Sequence, residues 1–265
     1  METEHGFAAV NNARIWYEIA GEGTPLVLVH GITLDHRMWD DQFAELAAHH
    51  RVLRYDLRGF GLSAIPDGPY RHVDDLAALL AHVGMDRVAV VGLSLGGMIV
   101  VDFALTYPEM VSALIPVDSV LGGHHWTQEW DAAVKPVWRA GRAGDLATAK
   151  ALWLANGLFA PARRDPAVGA RLERYIAEYS GWHWRNRDPE VAIEPTAAER
   201  LGEIAAPTFV IVGEHDVPDC LAIADRLARE IPDARKTMIP GVGHMANMEA
   251  PSAFNERLLA FLPAG

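Results

Sequence analysis

Ser94 stands between Gly92 and Gly96 in the stretch Gly92-Leu93-Ser94-Leu95-Gly96, after a short apolar run (88–91) and before a helix-like segment, Met98 to Leu105. A serine between glycines at a strand-to-helix turn is the nucleophile-elbow pattern. Such a turn is tight enough to strain the serine backbone, and a Cβ at 92 or 96 would strike the neighbouring strand or helix. The strain presents the hydroxyl at the carboxyl end of the sheet. A serine hydroxyl needs a base, and the base needs an acid to orient it. Asp216 follows an apolar run, 209–212, and His244 sits in the glycine loop Gly241-Val242-Gly243-His244 after another, 236–239. Both therefore fall on the rim that Ser94 occupies, where open α/β sheets bind ligands.

The attack of a serine on a carbonyl also needs donors for the oxyanion. The Leu95 N–H, at the helix start, is one candidate. The Ile32 N–H, in His30-Gly31-Ile32-Thr33 after the third strand, is the second. His30 is read as structural, hydrogen-bonded within its loop. Glu214 and Asp219 flank Asp216 and read as surface or helix-start residues. Adjacent histidines such as His124-His125 chelate one ion poorly, and no carboxylate pattern accompanies them. Neither a metal nor an organic cofactor is expected.

Positioning these groups requires alternating strands and helices. Two N-terminal strands, Phe7–Val10 and Ala13–Ile19, join at an Asn11-Asn12 hairpin turn. Continuous apolar runs then mark buried parallel strands at 26–29, 52–55, 88–91, 113–117, 209–212 and 236–239. Helical patterns separate them at 38–49, 73–83, 94–107, 220–231 and 251–262. The pattern predicts an α/β fold with a mostly parallel eight-stranded sheet, flanking helices and an inserted helical cap. Its domains are a core of 1–121 and 195–265 and a cap of 122–194.

No strand-like run lies in that insertion. Asp165-Pro166 opens a helix, with the aspartate at the N-cap, and Gly181 suits its C-terminal end. Asp145 opens another, through Leu146, Ala149 and Trp153. A third runs through Trp126, Trp130 and Val134, and Pro136 is expected to end or kink it. Six of the eight tryptophans fall here: Trp126, Trp130, Trp138, Trp153, Trp182 and Trp184. Some must form the insertion's own core. Trp126, Trp153 and Trp184, with Met245 on the rim, are the candidates for substrate contact.

The 265 residues carry 23 Lys+Arg against 35 Asp+Glu, a net charge of -12. Nucleic acid and anionic membranes both call for basic patches, so neither is an expected partner. The polar start, Met1 to His5, lacks the basic and apolar regions of a signal peptide, and no run approaches a membrane span; a cytoplasmic protein is expected. The single cysteine, Cys220, allows no disulfide within the chain.

Together, His30-Gly31, Asp56 to Ser63, Gly92 to Gly97, Gly213 to Asp216 and Gly243-His244 give a chain that resembles the α/β-hydrolase superfamily over nearly its whole length. Within it, the chain is most similar to cofactor-free serine esterases and lactonases with a helical cap, the 3-oxoadipate enol-lactonase type included. The resemblance implies a Ser94–Asp216–His244 triad and a structural role for the Asp56–Ser63 loop. Some members place the acid after the sixth strand, where this chain has Asp118; Asp216 is preferred because it needs no rearranged triad. Dehalogenases and epoxide hydrolases of the fold use aspartate at the elbow, so Ser94 points to hydrolysis of a small hydrophobic or aromatic ester or lactone through an acyl-enzyme. Alternatives on the same triad are a carbon–carbon bond hydrolase, a lyase or a perhydrolase, and, from a different class, a slow hydrolase-type ligand receptor. Activity is expected to survive EDTA treatment intact; a loss restored by a divalent cation would contradict the cofactor-free reading.

Overall fold

The structure, a computed structural model, describes residues 3–262; Met1 and Glu2 of the polar start lie outside them. The strands are β1 (Thr3–Val10), β2 (Ala13–Ala20), β3 (Pro25–Val29), β4 (Arg51–Tyr55), β5 (Val88–Leu93), β6 (Val111–Val117), β7 (Thr208–Gly213) and β8 (Ala234–Ile239). They form one sheet in the order β1-β2-β4-β3-β5-β6-β7-β8. The pairings β1–β2 and β2–β4 are antiparallel, and all others are parallel. Asn11 and Asn12 take φ of 45° and 60°, the twist a two-residue hairpin turn requires. Every residue of β5 is buried, as a central strand covered on both faces demands.

Flanking the sheet are α1 (Asp40–Leu46), α2 (His72–His82) and α3 (Leu95–Thr106). The helical pattern expected from Met38 begins instead as a 3₁₀ turn, His36–Trp39, capped by the Asp35 carboxylate on the Arg37 N–H. Between β6 and β7 lie α4 (Gln128–Arg142), α5 (Leu146–Leu154), α6 (Pro166–Glu178), α7 (Trp182–Arg185) and α8 (Ala197–Arg200). After β7 come α9 (Pro218–Glu230), α10 (Ala246–Glu249) and α11 (Pro251–Phe261). No helix among the described residues is long and apolar enough to cross a membrane.

Two details of the insertion differ from expectation. Of the two outcomes expected at Pro136, an end or a kink, the helix does not end there: α4 runs through it to Arg142. Pro136 and Ala132 both lie on the exposed face, where water can bond the carbonyl that the proline leaves free. Gly181 does not close α6, whose C-cap is Tyr179; it takes φ of 70° at the start of α7 instead. The N-cap aspartates sit as expected. Asp165 accepts from the Ala167 and Val168 N–H groups, and Asp145 from that of Thr148.

The insertion is tied to the rest of the chain at several points. Asp219, near the start of α9, accepts from the Thr127 N–H at 3.1 Å and the Thr127 hydroxyl at 2.6 Å, and lies 3.0 Å from His124 Nε2. Arg171 on α6 pairs with Asp41 at 2.5 Å, and Glu178 pairs with Arg37 at 2.5 Å. The returning chain bonds back through the Val191 N–H to the Tyr70 carbonyl at 2.8 Å.

Beside that return, Asp102 on α3 has an unpartnered buried Oδ1. Burial pushes its carboxyl up to about 7 against the pull of Arg71 and Arg200. An acid whose folded pKa exceeds its unfolded value of about 3.9 stabilises most at low pH, and that contribution is lost as pH rises through the folded pKa. Asp102→Asn should therefore raise Tm more at pH 8 than at pH 5. Equal shifts in the two melting curves would contradict the burial account.

Candidate active site

Ser94 caps α3 from a backbone at φ 57° and ψ −113°, the strained conformation the flanking glycines predict. A Cβ on Gly92 would lie 2.1 Å from the Gly96 carbonyl oxygen, and one on Gly96 would lie 2.2 Å from that of Val29. Leu95 is the first residue of α3, so its N–H has no partner within the helix.

His244 Nδ1 lies 3.0 Å from both carboxylate oxygens of Asp216, and both side chains are buried. The contact fixes the tautomer: Nδ1–H donates to the carboxylate, and Nε2 is left as the basic nitrogen. His244 and Ser94 line one small cavity with Gly31, Ile32, Leu34, Leu93, Trp153, Leu158, Phe159 and Met245. Its free volume is about 10 Å³, roughly that of one water-sized sphere. Apart from Ser94 and His244, the lining side chains are apolar or aromatic.

Of the candidate substrate-contact residues, Trp153 and Met245 belong to this lining. Trp184 does not; it packs edge-on against Trp153 at 6.2 Å and Tyr179 at 5.1 Å, inside the insertion's core. Trp126 is also outside the lining, stacked on Trp130 at 4.8 Å and edge-on to His124 at 5.1 Å. Ile32 is in the lining, and Leu95 is half-buried beside Ser94.

His30 has the internal role expected of it. Nε2 accepts the Leu57 N–H at 2.9 Å, and Nδ1–H donates to the Gly31 carbonyl at 2.8 Å. Burial lowers its pKa, which keeps it neutral and able to do both. The Asp56–Ser63 loop is braced as well. Asp56 accepts from the His36 and Leu62 N–H groups, and Arg58 pairs with Asp75 at 2.7 Å.

Several carboxylates around His244 carry roles that the sequence did not disclose. Asp118 makes no bond to His244; it accepts from the Gly213 N–H at 2.7 Å and the Ala246 N–H at 3.3 Å. Burial, then the charge of Asp216, raises its pKa well above the ordinary carboxylate range. Glu249 accepts from the Gly243 N–H at 2.9 Å and the Met245 N–H at 3.0 Å, the amides on either side of His244. Glu214 is a surface residue, as read, and also accepts from the Gly241 N–H at 2.8 Å. Cys220 lies within 4.8 Å of the ligating atoms of Asp216 and His244, and burial raises its thiol pKa, so it stays protonated.

Residues 24–251 match the sequence profile of the alpha/beta hydrolase fold, and the chain belongs to that family. It is 28% identical to a putative carbamate hydrolase, RutD, of Azorhizobium caulinodans, covering 96% of this chain and 97% of that one. It is 27% identical to 3-oxoadipate enol-lactonase 2 of Acinetobacter baylyi, over 89% of this chain and 88% of that one. The solved enol-lactonase of Burkholderia xenovorans superposes with a TM-score of 0.83 at 27% identity, covering 97% of this chain and 99% of that one. The chain is accordingly an enzyme of the hydrolase kind.

Glu249 gives a direct test of how the histidine loop is held. Glu249→Ala leaves two amides unpaired, at about 1–3 kcal/mol each. It should lower kcat for ester hydrolysis about 10–100-fold, with Glu249→Gln, which keeps one acceptor oxygen, in between. A Glu249→Ala enzyme with wild-type kcat and only a lowered Tm would limit the residue to stability.

Proposed function

We propose that this protein is a serine hydrolase that cleaves a carboxylic ester or lactone of a small to medium hydrophobic or aromatic substrate. One observation carries the reading: Asp216 holds His244 by Nδ1 at 3.0 Å, while His244 and Ser94 face the same apolar cavity. The residues 122–194 act as a cap over a core of 1–121 and 195–265.

His244 Nε2 takes the Ser94 proton as Oγ attacks the carbonyl carbon, and the resulting imidazolium is stabilised by the Asp216 carboxylate. The Ile32 and Leu95 N–H groups receive the oxyanion. Collapse of the tetrahedral intermediate breaks the bond to the alkoxy oxygen, which takes the proton from His244. For a lactone, the alcohol remains attached to the acyl chain. Water then gives a proton to Nε2 and attacks the acyl-enzyme. A second tetrahedral collapse returns that proton to Ser94 and releases the acid.

The apolar wall supports a neutral substrate, at roughly 25 cal/mol for each Å² of apolar surface removed from water. The relatives named for lactone and carbamate hydrolysis support the same bond class, a carbonyl bearing a heteroatom leaving group. A cavity of about 10 Å³ is far below the several hundred Å³ a ligand-sized pocket occupies, so the residues that line it must move apart to admit substrate.

A panel of p-nitrophenyl esters, lactones and aromatic carbamates tests this reading. Ser94→Ala and His244→Ala should each lower kcat about 10³-fold or more, and Asp216→Asn somewhat less, with unchanged circular dichroism. If Asp216→Asn is harmless and Asp118→Asn cripples the enzyme, the acid is misassigned. Slow wild-type turnover that Ser94→Ala leaves unchanged would favour a ligand receptor. A general base must shed its proton before it can accept one, so kcat/KM should rise with pH on the acid side of the profile. A flat profile from pH 5 to 8 would remove the histidine base.

A further inference from the structure

Thr33 has a backbone unusual for its residue type. Its φ is +64°, in the left-handed region that β-branched residues rarely enter. It is the third residue of a tight turn closed by the Leu34 N–H on the Gly31 carbonyl at 3.3 Å. Ile32, the second residue, does not share the positive φ. This combination is a type II turn, whose third position normally belongs to glycine. Something must hold a threonine there. The buried Thr33 hydroxyl accepts the indole N–H of Trp153 at 2.8 Å, across 120 residues of sequence and from the insertion to the core.

The turn lies against the nucleophile. A Cβ on Gly31 would stand 3.4 Å from that of Ser94, and Ile32 and Trp153 share the Ser94 cavity. A relaxed turn at Thr33 would move the backbone of its neighbour Ile32, whose N–H is the second oxyanion candidate. We propose that Thr33 is a positioning residue. Through its bond to Trp153 it locks the turn that holds Ile32 beside Ser94, so that the oxyanion site is complete only when the cap is seated. The kinetic part of this inference rests on Ser94 being the nucleophile.

The test uses the full-length enzyme and four variants. Thr33→Val keeps the shape and removes the acceptor, Thr33→Ser keeps the hydroxyl, and Trp153→Phe keeps an aromatic ring and removes the N–H. The fourth combines Thr33→Val with Trp153→Phe. With p-nitrophenyl acetate, Thr33→Val and Trp153→Phe should each lose about 10–100-fold in kcat, with KM within about threefold. Thr33→Ser should stay within about twofold of wild type. The double variant should be no worse than the more impaired single, since both break one interaction. Affinity for a boronic acid that mimics the tetrahedral intermediate should fall in step with kcat. Losses that multiply in the double variant, or changes confined to KM and Tm, overturn the positioning role.

A second readout does not depend on turnover. The Trp153 indole proton should resist hydrogen exchange in the wild type and exchange rapidly in Thr33→Val. Equal exchange in the two overturns the bond itself. If Ser94→Ala retains full activity, the acyl-enzyme reading falls, and the positioning role falls with it.

Discussion

The backbone of Ser94 is the constraint on which the rest of the site depends. At φ 57° it is bent into a conformation that only close packing on both sides sustains. Gly92 and Gly96 supply that packing by letting backbone touch backbone where a methyl group would stand about 2 Å from a carbonyl oxygen. The central strand, fully buried from Val88 to Leu93, clamps one end, and α3, buried along most of its length, clamps the other. What the fold spends on this turn it recovers as direction: the serine and the first amide of α3 emerge together at the sheet's carboxyl edge.

The histidine is held by a different device. His244 lies on a loop, and loops are positioned only by what their backbone bonds to. Here carboxylates do that work. Glu249 grips the amides on both sides of His244, Asp118 reaches the one after Met245, and Glu214 takes the amide of Gly241. Each of these acids sits at or just beyond the end of a sheet strand or in the turn after His244, so the loop inherits the stiffness of the sheet.

The sequence disclosed the strands because a parallel sheet buried on both faces writes itself as apolar runs, and the runs at 26–29, 88–91 and 209–212 are unambiguous. Ser94, Asp216 and His244 were legible for a related reason: each follows such a run or its glycine loop, so strand position alone brings them to one rim. The carboxylate clamps were not legible. Glu249 bonds to main-chain amides, which leave no trace in residue type; a single acid in Met245-Ala246-Asn247-Met248-Glu249-Ala250 was the only sign of it. Periodicity also failed to sort the tryptophans. The helices of the insertion are short and touch both one another and the core, so Trp184 and Trp153 read alike although only Trp153 reaches the cavity. Pro136 did not end its helix because its cost depends on which face it occupies, and that face is solvent.

Asp118 has a mechanical consequence. Its one carboxyl, at the end of β6, accepts an amide from the last residue of β7 and another from the first turn of α10. The segments that carry Asp216 and His244 are therefore riveted to the same point on the strand beside β5. One carboxyl on a central strand thus serves as a common anchor for acid and histidine, which stand 3.0 Å apart.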